Sequence, residues 1–326
     1  MNKPIILAYL ADWKAAELPA AKVDYAKMTH IAHSFAVATN EGVTFPDVKA
    51  SRELITTAHK KGVKVTLAIG GAESNRALST LCQTVDGAKK LAASVAAHVQ
   101  TIGYDGVDVD WEHPENRADA GRLSLFVAEL RRVVPRPKLL TMAVPATDWS
   151  AKWHDAPALL PHLDWAAVMT YDFYGPWSGD AGHHAALFPT KASDPSLSGS
   201  AAIKYWRTVK KFPASKLLLG VSVYARGFRA KAWGDVVSNH ADKEVERAYR
   251  DLGGVGKTDA ATGTATWKAE NGAVILSGDN PDTARQKGGW AKSQNLAGVF
   301  FWELSQDLDG DKSVIRAARR GYGAGR

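Results

Sequence analysis

The sequence predicts a closed α/β barrel, a (β/α)8 TIM barrel, on the basis of three observations. Eight short apolar runs alternate with segments of helical periodicity along the 326 residues. The runs are continuous rather than alternating, which is typical of strands buried on both faces of a parallel sheet. Strands that alternate with helices in this number favour a closed barrel over an open sheet, and barrels of this length fold as one domain. We therefore expect a single domain over residues 1–326.

The apolar runs fix where the eight strands are expected. They lie at residues 5–10, 30–36, 63–69, 106–111, 139–145, 165–171, 217–224 and 297–302. The clearest helices are expected between them, at residues 50–61, 86–102, 119–134 and 281–294. Boundary residues support these helices: Gly62 follows the first, Pro135 stops the third, and Asn280 with Pro281 opens the last.

One interval, residues 229–276, is longer than a βα loop requires. Thr264–Lys268 and Ala273–Leu276 flank an Asn271-Gly272 pair, which is a strong turn signal for a β-hairpin. We expect a short excursion containing a hairpin after the seventh strand. It is too small to form a full α/β insertion domain.

The composition excludes several classes of protein. With 45% apolar and 23% charged residues, the chain has an ordinary globular balance, which excludes long disorder. The single cysteine, Cys82, cannot form an intramolecular disulfide. A helix needs about 20 apolar residues to span a bilayer, and the longest apolar runs are far shorter. The N-terminal run indicates a first strand rather than a signal peptide. The net charge of +7 is spread along the chain without a nucleic-acid motif, so we expect neither a membrane nor a nucleic-acid partner.

Side chains at the carboxyl ends of the strands are the candidate functional residues, because active sites of such barrels gather there. These positions are rich in aromatic and ionisable groups, namely Tyr9, Phe35, Glu112, Tyr171, Asp172, Tyr224, Arg226, Trp302 and Glu303. The 11 Trp of the chain also indicate a surface that stacks on flat ligands. Apolar faces with polar edges suit a sugar.

The fourth strand carries a row of carboxylates, Asp108, Asp110 and Glu112. With a period of two, all three point into the barrel, where they cannot all ionise. Glu112, at the mouth of the strand, is predicted to be a general acid with a raised pKa. A cation site is less favoured, because the other strand ends offer Tyr and Trp rather than carboxylates. An exposed edge strand is less favoured because the intervening residues are apolar.

The spacing of these carboxylates limits the mechanisms by which the site could cleave a glycosidic bond. Ordinary glycosidases place two carboxylates on opposite sides of the scissile bond, about 5–9 Å apart. Asp110 and Glu112 lie on one strand face with Cα atoms about 6.6 Å apart, so they cannot enclose a sugar ring. If the chain is a glycosidase, its nucleophile should come from elsewhere, and substrate assistance is one known source.

The run D-G-x-D-x-D-x-E at residues 105–112 resembles the signature of glycoside hydrolase family 18, the chitinase-like barrels. Further segments are similar to this family in order along nearly the whole chain, at Ala8–Tyr9, His33–Ala36, Ile69–Gly71, Met169–Asp172 with Gly175–Trp177, Tyr224–Phe228 and Gly298–Glu303. The resemblance implies a barrel that hydrolyses N-acetylglucosamine polymers.

The resemblance also implies roles for individual residues. Glu112 would protonate the glycosidic oxygen while the 2-acetamido carbonyl of the substrate attacks the anomeric carbon. Asp110 would hold the amide N–H, with Asp108 buried behind it. The remaining implied contacts are Tyr171 to the acetamido oxygen, Trp302 under the reacting sugar, Tyr9 beside Asp108, Asp172 and Arg226 at neighbouring sugars, Trp13 and Trp177 as leaving-side platforms, and Phe35, Met169 and Tyr224 in the substrate-binding set.

We therefore expect an endo-acting, retaining chitinase without cofactor or metal, monomeric and, as the family implies, extracellular. The short excursion implies a groove more open than in processive relatives. Hydrolysis of peptidoglycan or of N-glycan core linkages stays open, because those substrates carry the same acetamido group. A non-catalytic chitin-binding lectin on the same barrel also stays open.

The sequence departs from the family pattern at two positions, and it contains two weak metal-binding motifs. Ala68 stands where a serine hydroxyl would steady Asp108. His113 follows the acid in place of tyrosine, and it would either couple activity to pH near about 6–7 or simply pack. Asp307–Asp311 is similar to a calcium loop, but Ala318 replaces the glutamate expected at its twelfth position. His183-His184 lacks a paired carboxylate motif, and metal binding is not expected at either place.

Overall fold

A computed structural model describes residues 3–191, 194–237 and 245–323. In chain order the strands are β1 (Ile5–Ala11), β2 (His30–Thr39), β3 (Gly42–Thr44), β4 (Lys64–Gly70), β5 (Gly106–Asp110), β6 (Leu139–Pro145), β7 (Trp165–Met169), β8 (Leu217–Ser222), β9 (Tyr224–Phe228), β10 (Val245–Ala248), β11 (Lys257–Asp259), β12 (Thr264–Ala269), β13 (Val274–Gly278) and β14 (Gly298–Trp302). The helices are α1 (Val48–Lys60), α2 (Asn75–Leu81), α3 (Val85–Ile102), α4 (Arg117–Val133), α5 (Asp148–Ala151), α6 (Ala156–Leu159), α7 (Gly199–Thr208), α8 (Pro281–Ser293) and α9 (Val314–Tyr322).

Eight parallel strands close the predicted barrel in the order β1-β2-β4-β5-β6-β7-β8-β14. Closure is complete because β1 pairs in parallel with both β2 and β14. Each of the eight apolar runs forms one of these strands, and the four predicted helices appear as α1, α3, α4 and α8. Each of these four helices begins with a side-chain cap. At α8, Asn280 and Thr283 form a full capping box.

The predicted seventh strand, 217–224, divides into two. Strand β8 ends at Ser222, and Tyr224 begins β9, which leaves the barrel and joins a separate antiparallel sheet. The order of that sheet is β10-β9-β13-β12-β11. The hairpin predicted around Glu270–Gly272 is present between β12 and β13. The other strands of this sheet were not predicted, because segments of three to five residues carry little periodicity.

The predicted excursion, residues 229–276, includes residues 238–244, which lie outside the described ranges. Its described parts consist of strands and short 3-10 turns. No helix in the described ranges is long and apolar enough to cross a membrane.

Two buried lysines connect distant parts of the fold. Lys287 Nζ of α8 lies 2.6 Å from Asp279 Oδ2 and donates to the Ala185 carbonyl at 2.7 Å. Lys27 Nζ lies 3.2 Å from Asp307 Oδ2, 3.0 Å from Asp309 Oδ1 and 2.8 Å from the Leu308 carbonyl oxygen. The ammonium of Lys27 therefore fills the loop whose sequence is similar to a calcium site.

Candidate active site

Strand β5 directs its row of carboxylates into the barrel mouth. Asp108 and Asp110 are buried, and Glu112 just beyond the strand is half-buried. Asp108 accepts a hydrogen bond from Tyr9 Oη at 2.5 Å and another from the hydroxyl of Thr141. Burial raises the pKa of Asp108 to about 6, although these two donors stabilise its charged form.

The carboxyl groups of Asp110 and Glu112 influence each other's pKa, so their protons are released as those of a pair. Burial, with the added charges of Glu112 and Asp108, raises the pKa of Asp110 well above its ordinary value. Burial and the charge of Asp172 raise the pKa of Glu112 to about 7. The pair therefore keeps a proton near neutrality. Asp110 Oδ1 is buried and has no hydrogen-bond partner in the described part of the chain, so it can accept one from a ligand.

Two glycines at the end of β4, Gly70 and Gly71, allow the strand that carries the carboxylates, β5, to approach closely. A Cβ on Gly70 would lie 2.0 Å from the Asp110 carbonyl oxygen, and φ at Gly70 is +126°. The next residue, Gly71, donates its backbone N–H to that same carbonyl at 2.8 Å. No side chain fits between β4 and β5 at Gly70, and a Cβ on Gly71 would lie 2.9 Å from the ring of Phe35.

Aromatic rings form one side of the site. Trp302, at the end of β14, stacks on Phe35 with centroids 5.8 Å apart and planes inclined by 19°. Tyr9 and Trp13 approach Trp302 at 5.6 and 6.5 Å between centroids. Trp13 is 59% exposed, so its face is open to solvent. Such a surface can stack on the apolar face of a sugar.

The opposite side combines the end of β7 with β9. Asp172 Oδ1 accepts from Arg226 Nε at 2.6 Å and from Tyr224 Oη at 2.7 Å. Arg226 lies against the ring of Trp177, 5.4 Å from its centroid. Trp177 covers Gly175, where a Cβ would come within 2.6 Å of the ring, and is itself 60% exposed.

Tyr171 and Met169 complete the set of candidate residues. Burial and the nearby carboxylates, first Asp110 and then Glu112, raise the pKa of Tyr171 well above its ordinary value, so its hydroxyl stays a neutral donor. Met169 is the last residue of β7 and packs against the cluster inside the barrel. The structure thus gathers all of the predicted site residues at one mouth of the barrel.

Three polar residues at the site were not identified from the sequence. Thr141 pairs with Asp108 in the β5–β6 register, and a period of two counted back from Pro145 would have placed it inside the barrel. Asn75, at the start of α2, donates its side-chain amide to the Glu112 carbonyl. His184 lies buried beside Asp172. Asn75 and His184 come from loops and a helix start, where no periodicity indicates orientation.

The structure shows what surrounds Ala68 and His113, the two departures from the family pattern. Ala68 pairs with Asp108 from the β4 side, and Thr141 supplies a hydroxyl to that carboxylate from the β6 side. Burial lowers the pKa of His113 to about 4, so the ring is neutral at pH 6–7. The interpretation of His113 as a pH switch is therefore not supported, whereas packing is.

His183 packs on Trp233, with ring centroids 4.2 Å apart.

Comparisons with known proteins show the family to which the chain belongs. The model of glycosyl hydrolases family 18 matches residues 5–307. Chitinase 1 of Aphanocladium album is 24% identical over 97% of this chain and 83% of its own length. A chitinase-like effector of Moniliophthora perniciosa is 26% identical over 94% of this chain and 84% of its own.

A solved structure shares the fold. Catalytic domain 2 of the Group II chitinase of Ostrinia furnacalis aligns with a TM-score of 0.87 at 21% identity, covering 100% of this chain and 98% of that domain. A mutant of that domain is also solved in complex with penta-N-acetylchitooctaose. The family match extends over nearly the whole chain, from the first barrel strand to beyond the last. The chain therefore belongs to the glycosyl hydrolases of family 18 and is a glycoside hydrolase of the chitinase type.

Proposed function

We propose that the protein cleaves β-1,4-linked N-acetylglucosamine polymers internally, by a retaining mechanism in which the substrate supplies the nucleophile. The observation that carries this proposal is the position of Asp110 at the end of β5 and of Glu112 two residues beyond it, where burial raises the pKa of both carboxyl groups. Two carboxyl groups on the same side of a sugar cannot act as acid and opposing nucleophile. The 2-acetamido group of the substrate is the nucleophile that this geometry leaves available.

The reaction then follows in two steps. Glu112 gives its proton to the glycosidic oxygen as the acetamido carbonyl oxygen forms a bond to the anomeric carbon. The C–O bond to the leaving sugar breaks, and its electron pair stays on the newly protonated oxygen. Asp110 accepts a hydrogen bond from the amide N–H of the resulting oxazolinium ion. Water then attacks the anomeric carbon, and the bond from that carbon to the acetamido oxygen breaks, which regenerates the acetamido group. Glu112 takes a proton from the attacking water, and the product retains its configuration.

Other contacts support this assignment. Tyr171 is kept protonated beside the carboxylates and can donate to the acetamido oxygen. Trp302, backed by Phe35, offers a flat floor for the reacting sugar. Asp172 and Arg226 can bind adjacent sugars, and the exposed rings of Trp13 and Trp177 are platforms for sugars on the leaving side. Platforms open to solvent favour a groove that admits an internal segment of polymer. The family resemblance supports an enzyme that acts outside the cell as a monomer.

Glu112→Gln, compared with the parent on a GlcNAc hexamer, tests the catalytic role. We expect a loss of about 10²–10⁴-fold in kcat, because the proton donor is removed while shape is kept. Glu115→Gln is the matched control, since Glu115 is exposed just after the same strand. Equal activity of the Glu112 variant, or no activity in the parent, would refute the proposal.

Product profiles test the substrate and the cutting mode. Chitin oligomers, peptidoglycan and a glycoprotein should be digested in parallel, with products sized early in the reaction. We expect mixed lengths from chitin oligomers. Release of dimers alone from chain ends would refute internal cutting, and faster release from peptidoglycan or from the glycoprotein would reassign the substrate.

A further inference from the structure

Arg250 joins two loops at the mouth of the barrel. Its Nη1 donates to the backbone carbonyl of Ser305 at 2.6 Å, and its Nη2 donates to Glu17 Oε2 at 2.6 Å. Ser305 follows β14 and its terminal Trp302. Glu17 belongs to residues 12–18, which follow β1 and are called the Trp13 loop. One guanidinium group therefore contacts both of the segments that carry these two indole rings.

The backbone of Arg250 is attached to a third segment of the same rim. Arg250 lies in the 3-10 turn Tyr249–Asp251, directly after β10 of the antiparallel sheet. The Tyr249 N–H donates to the Val223 carbonyl, between β8 and β9, at 3.0 Å, and the Val223 N–H donates to the Trp302 carbonyl at 2.8 Å. Strands β1, β14 and β8 are neighbours in the barrel, so Arg250 spans three adjacent loops.

Both acceptors of Arg250 are held by further contacts. Ser305 donates its backbone N–H to buried Glu303 at 2.9 Å and its hydroxyl to the same carboxylate. Glu17 accepts from Lys14 Nζ at its other oxygen, Oε1, at 2.7 Å. The hydrogen bonds from Lys14 and Arg250 lower the pKa of Glu17, so it is charged at neutral pH. A continuous chain of polar contacts thus runs from Glu303 to the Trp13 loop.

The packing of the Trp13 ring determines its orientation only loosely. The ring is exposed, and its centroid lies 6.1 Å from that of Phe35 and 6.5 Å from that of Trp302. Its plane is inclined by 31° to the first ring and by 48° to the second, so it is parallel to neither. The position of the loop backbone therefore matters for where the open face of Trp13 lies.

Two side-chain contacts tie the Trp13 loop to other segments, one on each side of the indole. Before it, Asp12 Oδ1 lies 3.3 Å from His33 Nε2 of β2. After it, Glu17 accepts from Arg250. Loss of the second contact would let the loop shift while its start stays attached to β2.

We propose that Arg250 is a positioning residue, which holds the Trp13 loop against the end of β14 and so sets the aromatic surface on which a sugar of the substrate stacks. This inference rests on the proposed function, because it requires a sugar on Trp13. The side chains of Arg250 and Glu17 are 34% and 43% exposed, so water screens their charges and the pair adds little stability. Its loss should appear as weaker sugar binding rather than as unfolding.

Kinetics of Arg250→Met, which removes all donors but keeps the length of the side chain, test the effect on binding. On a GlcNAc hexamer we expect KM to rise about two- to tenfold, as for a weakened aromatic contact, with a smaller change in kcat. Glu17→Met should act alike, and the double variant should add little, because both changes remove one contact. Arg250→Lys, which keeps a charged donor, should bring KM back toward the parent. In a Trp13→Ala background, Arg250→Met should raise KM no further.

Arg207→Met is the matched control. Arg207 is also exposed and also joins two segments, since its Nη1 donates from α7 to Gln294 Oε1 after α8 at 3.2 Å. Both ends of that contact lie where the chain enters barrel strands, away from the mouth. KM should be unchanged in this variant. An equal rise of KM in Arg207→Met and Arg250→Met would overturn the inference.

A readout independent of activity separates this inference from the proposed function. In protein labelled with fluorotryptophan, the 19F signal of Trp13, assigned by its loss in Trp13→Phe, should shift in Arg250→Met and Glu17→Met but not in Arg207→Met. If the Trp13 signal is unmoved and only the melting temperature falls, Arg250 is structural and the inference is overturned. If the parent neither binds nor cleaves GlcNAc oligomers but the signal shifts, the proposed function fails and the positioning stands.

Discussion

Thr141 lies directly opposite Asp108 in the β5–β6 register and donates its hydroxyl to Oδ1, while Tyr9 occupies Oδ2. Both oxygens of this buried carboxylate thus accept hydrogen bonds from hydroxyl groups, one on the adjacent strand β6 and one on β1. Burial nevertheless raises the pKa of Asp108 to about 6. A single hydroxyl on an adjacent strand therefore helps set the charge beneath the catalytic pair.

Replacing Thr141 with valine tests this contact. The change keeps the shape but removes a donor to the charged form, so Asp108 will hold its proton to higher pH. We expect the acid limb of kcat/KM to move up by about one pH unit, as measured on a GlcNAc oligomer. Thr66→Val is the matched control, because Thr66 is also buried in the barrel but donates to the Ile31 carbonyl at 3.4 Å. Equal shifts in both variants would contradict the assignment.

The stability of the fold should depend on the ionisation of Glu112. Burial raises its pKa from 4.5 to about 7, so the folded state binds more protons than the unfolded state within that window. The free energy of unfolding must then fall as the pH rises from about 4.5 to about 7. Glu112→Gln removes this penalty. We expect its melting temperature to match the parent at pH 4 and to exceed it at pH 8.

Thermal unfolding between pH 4 and pH 8 measures this difference. Glu115→Gln, which changes an exposed glutamate three residues after Glu112, is the matched control for the loss of a glutamate charge. A melting temperature for Glu112→Gln below that of the parent at pH 8 would show that the carboxylate stabilises the fold.

The stack between Phe35 and Trp302 should contribute to substrate affinity. Phe35→Leu removes the aromatic partner and frees the indole ring that floors the proposed site. An aromatic pair is worth about 0.5–1.5 kcal/mol, so KM should rise about two- to tenfold with a smaller change in kcat. Phe188→Leu is the matched control, because Phe188 is half-buried and pairs with Trp290 elsewhere, at 6.3 Å. Equal effects on KM would contradict a direct role of the stack.

Gly70 should tolerate no side chain. Gly70→Ala places a Cβ against the Asp110 carbonyl, whereas Gly62→Ala at φ +72° meets nothing within 4 Å. The control should lose about 1–2 kcal/mol from left-handed backbone strain alone. Gly70→Ala should lose about 1–3 kcal/mol more and also lower kcat, because Asp110 is displaced. Urea unfolding and kinetics measure both, and equal stability of the two variants would contradict the packing argument.

Periodicity predicted the barrel and the carboxylate row because both depend on local pattern. The apolar runs are continuous where strands are buried on both faces, and alternation places Asp108, Asp110 and Glu112 on one side of β5. The strand-end rule then located Tyr9, Trp302 and most other residues of the site.

The parts that were not predicted depend on contacts between distant segments. Tyr224 and Arg226 were expected at the end of a barrel strand, but they belong to β9, whose partners β10 and β13 lie far along the chain. His184 lies beside Asp172 on a loop that β13 contacts through the His184 N–H and that Lys287 contacts through the Ala185 carbonyl. Nothing in the local sequence around these residues encodes such pairings.

The ammonium of Lys27 inside the Asp307–Asp309 loop has a consequence for the last part of the barrel. Asp307 also accepts the Val314 N–H at 2.9 Å, so this loop fixes the start of α9. A loop of this kind that held a dissolved ion would lose it to a chelator or on dilution. A cation that is covalently part of the chain cannot leave, so we expect the start of α9 to stay ordered in chelating media and at any calcium concentration.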